Sequence, residues 1–224
     1  MKKYNNYIPI GYNCFTSMLL MNLGIRKNAY PLDWVISNPT MILQYFKTNF
    51  DNYFLPSPTS DINYMNQRFD WFKTNRYSNK NTDSNYNEEL PHSTISVHEE
   101  NKLLFDKRIN RLLKLLQTTD KTEPVLFVYT GEYSVNCLRD EDFNKKMVLN
   151  EEADLNKLIE LKNYIKTNYP NLEFDILIIY VNKNKKVVTE EENIIIININ
   201  IPICNDDINR KNLTDKLRPL FLPD

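Results

Sequence analysis

Cys14 follows a short apolar segment, Tyr7 to Ile10, closed by Gly11, and it precedes the pattern FTSMLLMNL, whose spacing predicts a helix. A cysteine at such a strand-to-helix turn meets the N–H groups that the first turn of a helix leaves unpaired, and these favour the thiolate. That placement lowers a thiol pKa from about 8.5 by one to several units, so cysteine becomes the nucleophile most easily activated at neutral pH. The same N–H groups can hold the oxyanion of an acyl-transfer intermediate.

A nucleophilic cysteine needs a base, and the chain offers only His92 and His98. His98 ends an alternating segment, TISVH, read as a strand whose end converges on a site, whereas His92 follows Pro91 in an aperiodic stretch. Asp33, in PLDW, can orient the imidazole by accepting its second N–H, as the third member of a triad does. Each residue also has a plainer reading. Cys14 can be a small buried apolar residue, His98 a surface or capping group, and Asp33 a cap on the turn before Trp34. Glu132 stands just past a strand end, where site carboxylates occur. Arg108 and Arg111 lie on a helix whose charged residues ordinarily form a solvated face, though they can bind an anionic substrate. Cys137 lies in a polar loop with no base near it in sequence, and Cys204 follows IPI near a strand end.

These groups need elements to hold them. Gly24 stops the first helix, over Phe15 to Leu23, as its C′ residue. NAYPLDWVIS reads as an irregular loop, and Asn38-Pro39 as a cap and first residue of a helix whose apolar stripe runs to Phe50. Residues 51–93 form a polar, aromatic-rich insertion without period, a candidate lid. A long helix over Glu99 to Gln117, carrying Leu103, Leu104, Ile109, Leu112, Leu113 and Leu116, precedes the buried strand VLFVYT. An amphipathic helix over Glu151 to Tyr169 ends at Pro170, and FDILIIYV follows as a strand. In the next strand, IIININI, alternation suggests one wet face or an edge position, and the tail reads as a surface helix with an extended end, LRPLFLPD. This order predicts one α/β domain over 1–224 with a mostly parallel sheet flanked by helices.

Composition narrows the function. With 28 Lys plus Arg against 29 Asp plus Glu, the net charge is -1, which argues against a general nucleic-acid binder. The longest apolar runs fall far short of the ~20 residues that cross a bilayer, and no signal peptide is expected. Three irregularly spaced cysteines fit neither a disulfide framework nor a Cys-x-x-Cys site, which places the protein in a reducing cytoplasm. Three separated glycines exclude the common phosphate-cradling loops, and two histidines disfavour a zinc site. No metal and no cofactor are expected.

The run IPIGYNCFTSMLLMNLGIRKNAYPLDWVIS resembles the opening block of the DUF1796 family, described as papain-like cysteine peptidases and found in bacteria and large DNA viruses. That block reads as an apolar strand, S-L-G-x-x-C, a helix with L-x-x-L-G-L-R, and Y-P-F-D-W. Gly11, Cys14, Leu23, Gly24, Arg26, Tyr30, Pro31, Asp33 and Trp34 match it. VHEENKLLFDKRINRLL is similar to the family's histidine followed by R-R-I-x-R-[FL], with His98, Arg108, Ile109 and Arg111 in place, and the likeness continues loosely through VLFVYTGEY. Ile10, Pro9, Leu32 and Lys107 depart from the pattern, where the family has Leu, Ser, Phe and Arg. The resemblance implies peptidase activity through Cys14, His98 and Asp33. An α/β order with parallel strands differs from the layout of papain, and the order Cys, Asp, His differs from its Cys, His, Asn, but triads are recognised by geometry.

Three functions stay open at this point. The first is a cysteine-dependent hydrolase, peptidase-like or acyltransferase, acting on a peptide or acyl substrate. The second is a glycan or nucleotide-sugar transferase or hydrolase in which Cys14 is structural, suggested by the association of bacterial members with surface polysaccharide. In it Arg26, Arg108 and Glu132 line a polar pocket at the strand ends; across the readings the candidate substrate-binding residues are Arg26, Trp34, Arg108 and Glu132. The third is a non-catalytic interaction module.

Overall fold

The computed structural model describes residues 3–11, 14–33, 37, 39–51, 99–117, 122–132, 151–181, 188–191, 193–199 and 207–221. The elements are β1 (Asn6–Gly11), α1 (Cys14–Asn22), α2 (Pro39–Lys47), α3 (Glu99–Leu116), β2 (Val125–Glu132), α4 (Glu151–Asn168), β3 (Phe174–Val181), β4 (Val188–Glu191), β5 (Ile194–Ile199) and α5 (Asp207–Phe221). The sheet order is β1-β2-β3-β5-β4. β1, β2, β3 and β5 are parallel, and β4 pairs antiparallel with β5. The mostly parallel sheet flanked by helices that the sequence predicts is therefore the observed architecture.

Parallel strands covered on both faces must be apolar on both, and β2 and β3 are. Val125, Phe127 and Tyr129 of β2, with Ile176, Ile178 and Tyr180 of β3, enter a core shared with α2, α3 and α4. Leu126, Val128, Leu177 and Ile179 point the other way, onto Phe15, Leu19 and Leu20 of α1, Leu23 just after it, and Leu213, Leu217 and Phe221 of α5. The chain thus leaves β1 onto one face with α1 and crosses to the other with α2. The carboxyl end of β1 is bracketed by both.

Gly24 ends α1 with φ +73, and its N–H donates to the Met21 carbonyl at 2.9 Å, as a helix-terminating glycine does. α2 ends at Lys47, short of the expected Phe50, because Asn49 and Phe50 take φ of 49 and 64. The turn folds the Phe50 ring back onto Tyr45, stacked at 5.7 Å, so burial of one more aromatic outweighs another half-turn of helix.

Four expectations are corrected. Leu103 and Leu104 are 61% and 44% exposed, while Phe105, Ile109, Leu112 and Leu116 form the buried face of α3. The stripe is set by the spacing of 4, 3 and 4 that starts at Phe105. Arg108 falls on that same side and is buried, not on a solvated face, with its guanidinium carbon 4.8 Å from the centre of the Phe105 ring. β5 is not an edge strand, because β4 pairs with it across a turn at Asn193, whose φ is 60. The tail is helical through Phe221, and Leu213, Leu217 and Phe221 are buried, so no extended end begins at Leu217. The expected strand TISVH and the 51–93 insertion, apart from Asp51, lie outside the described residues.

Candidate functional site

Four parallel strands bring their carboxyl ends to one edge of the sheet, and the first residue of α1 is Cys14, three positions past the end of β1. The end of β1 is lined by hydroxyls. Gly11 has φ +133, and a Cβ there would lie 2.8 Å from Ser37 Oγ and 2.9 Å from the Ser37 carbonyl oxygen. Only glycine satisfies both the backbone angle and the space. Ser37 Oγ donates to the Ile10 carbonyl at 3.3 Å. On the other side Thr16 Oγ1 donates to the Gly11 carbonyl and also contacts Thr130 Oγ1, near the end of β2. Thr16 and Ser17 are 0% exposed and Thr130 2%.

Proton inventory sets the direction of this chain. A threonine hydroxyl carries one hydrogen, and a carbonyl carries none. Thr16 gives its hydrogen to Gly11, so the Thr130 hydroxyl must be the donor to Thr16. The ends of β1 and β2 and the first turn of α1 are thereby tied through one oxygen.

Asp33 is the second anchor. It is fully buried, and Arg26 grips it with Nη2 at 2.7 Å from Oδ2 and Nε at 3.2 and 3.3 Å from the two oxygens. Ser17 Oγ donates to Oδ1 at 3.0 Å and the Tyr30 N–H to Oδ2 at 2.8 Å. Ser17 lies one helical turn beyond Cys14, about 4.5 Å along the axis, so Asp33 is fastened to the helix that begins with Cys14. The Asp33 N–H donates to the Tyr30 carbonyl at 3.1 Å, closing the turn. Arg111 reaches the same loop from α3 through Nη1 and the Ala29 carbonyl, 2.5 Å apart. Burial pushes the Tyr30 phenol above its ordinary 10.0, and the Arg111 charge pulls it the other way.

The residues singled out from sequence therefore fall as follows. Arg26 and Asp33 meet as an ion pair, with the Arg26 side chain 18% exposed. Cys14 is the first residue of α1 and Glu132 the last of β2. Arg108 is inside the α3 interface. His98 and Trp34 lie outside the described residues. Among the described residues no group of three or more His, Cys, Asp or Glu could hold a metal ion. Also among them, no helix is long and apolar enough to cross a membrane.

Sequence reasoning missed Thr16, Ser17, Ser37 and Thr130. A signal was present for the first two: α1 is apolar nearly all round, and a helix buried on most sides must give any hydroxyl an internal partner.

An α/β sheet with a cysteine opening the helix after its first strand is the class that fold and site define. A family model described as "Putative papain-like cysteine peptidase (DUF1796)" matches residues 5–184, and the chain belongs to that family. Searches of curated proteins and of solved structures return no match.

Proposed function

We propose that the protein is a cysteine-dependent hydrolase acting on a peptide or related acyl substrate, with Cys14 as nucleophile and His98 as its base. The observation that carries this reading is the position of Cys14 at the start of α1, beyond the carboxyl end of β1, in a chain of this family. In the reaction His98 takes the thiol proton and the thiolate adds to the carbonyl carbon. The C–N bond breaks and the amine leaves with that proton. Water, deprotonated by His98, then attacks the thioester, releasing the acid and regenerating thiolate and imidazolium. N–H groups of the first turn of α1 serve as the oxyanion donors.

Asp33 takes a positioning part in this reading. Four donors already converge on its two oxygens, which favours a role in holding the second turn of α1 over one as acceptor of the second His98 N–H.

The test is alkylation of Cys14 by iodoacetamide across pH, with Cys137 and Cys204 changed to Ser. The expected profile stays fast well below pH 8.5 and slows in His98→Ala, and Cys14→Ala abolishes hydrolysis of a peptide library with the fold retained. An ordinary thiol profile, or undiminished hydrolysis in Cys14→Ala, overturns the proposal.

A further inference from the structure

We infer that Thr16, held in turn by Thr130, is a positioning residue for Cys14, and that its hydroxyl sets the reactivity of the thiol without touching substrate. This rests on the proposed nucleophilic role of Cys14. The Gly11 carbonyl and Thr16 Oγ1 are joined directly across five positions of chain, and Cys14 lies within that span. The Thr130 contact at 2.5 Å adds an anchor from β2, with Thr130 114 positions from Thr16 in sequence.

Two consequences follow from the chemistry. A hydrogen bond from Thr16 to the Gly11 carbonyl keeps the first turn of α1 in one register against the strand ends, and a preorganised donor set stabilises developing negative charge without reorganising. The two carbonyls that close β1 are also both occupied by side-chain hydroxyls, Ile10 by Ser37 and Gly11 by Thr16. A carbonyl oxygen carries partial negative charge, and one freed to turn toward Cys14 would disfavour the thiolate. Each hydroxyl holds its carbonyl in place.

A purely structural threonine would lower stability when replaced but leave the thiol pKa alone. The experiment therefore compares Thr16→Val, Thr16→Ser and Thr130→Val in the Cys137→Ser, Cys204→Ser background, reading the pH profile of iodoacetamide alkylation alongside thermal unfolding. Expected is a rise of about one unit in the apparent thiol pKa for Thr16→Val, hence about tenfold less thiolate at neutral pH. Thr16→Ser, which keeps the hydroxyl, restores the parent profile, and Thr130→Val falls between. A Thr16→Val profile that superimposes on the parent overturns the inference while leaving the role of Cys14 intact. If Thr16→Val does not fold, Thr130→Val decides: a raised pKa supports the inference and an unchanged one overturns it. A parent thiol that is itself ordinary removes the proposed nucleophile and the inference with it.

Discussion

Removing Arg26 tests the most heavily bonded carboxylate described in the molecule. Asp33 is 0% exposed and receives two nitrogens of Arg26, so Arg26→Ala leaves a buried negative charge that, among the described residues, keeps the Ser17 hydroxyl and the Tyr30 N–H for compensation. Breaking a buried pair by deleting one partner costs about 3–5 kcal/mol. The Arg26 side chain is 18% exposed, so water reaches the vacated side, and two hydrogen bonds remain. The expected loss is therefore nearer 3 kcal/mol, about 6–12 °C in Tm for a chain of this size. Arg26→Lys recovers only part, because an ammonium cannot reproduce the two-nitrogen grip. Urea unfolding supplies the measurement, with the midpoint shifting and the slope unchanged. The internal control is Lys157–Glu160, an ion pair of similar length at 2.6 Å whose side chains are 38% and 47% exposed. Lys157→Ala is expected to cost under about 0.5 kcal/mol. If Arg26→Ala lost no more than Lys157→Ala, the view of Asp33 as a charge anchored by Arg26 would be wrong.

Gly11→Ala and Gly24→Ala separate space from backbone angle. Both glycines have positive φ, but a Cβ on Gly11 meets Ser37 at 2.8 Å while one on Gly24 meets nothing within 4 Å. Gly24→Ala is expected to cost about 1 kcal/mol and Gly11→Ala clearly more, by the same urea titration; equal losses would contradict the packing at Ser37. Alkaline titration reads the buried tyrosines. Burial raises the phenols of Tyr7, Tyr30 and Tyr169 above 10.0, so above pH 10 the unfolded chain releases protons that the folded chain retains. Stability is then full below pH 10 and falls as pH rises from there toward the folded-state values. Tyr30→Phe should flatten that fall, and an unchanged slope would assign it elsewhere.

Much of the fold could be read from local pattern. The apolar runs VLFVYT and FDILIIYV are strands, Glu151–Asn168 is a helix ended by Pro170, and Gly11 and Gly24 occupy positive φ at the ends of β1 and α1. Less could be read where one residue type serves two environments. Arg108 and Arg111 look alike in sequence, yet one is buried beside Phe105 and the other reaches from the exposed side of α3 to Ala29. The β4–β5 pair was hidden because VTEE carries no apolar face, and it becomes a strand only by bonding along Ile194–Ile199.

The sequence by itself determined the junction at which Cys14 sits, because a strand, a glycine and a helix start are each encoded within a few consecutive residues. It also carried the family's pattern through Asp33. The partners of those residues were decided only by tertiary structure. Arg26 and Asp33 are seven positions apart with no periodic reason to meet, and Thr16 finds Thr130 across 114 positions. Hydrogen bonds of that kind depend on which strand becomes the neighbour of β1 and on which face α1 settles, and no short window of sequence contains either fact.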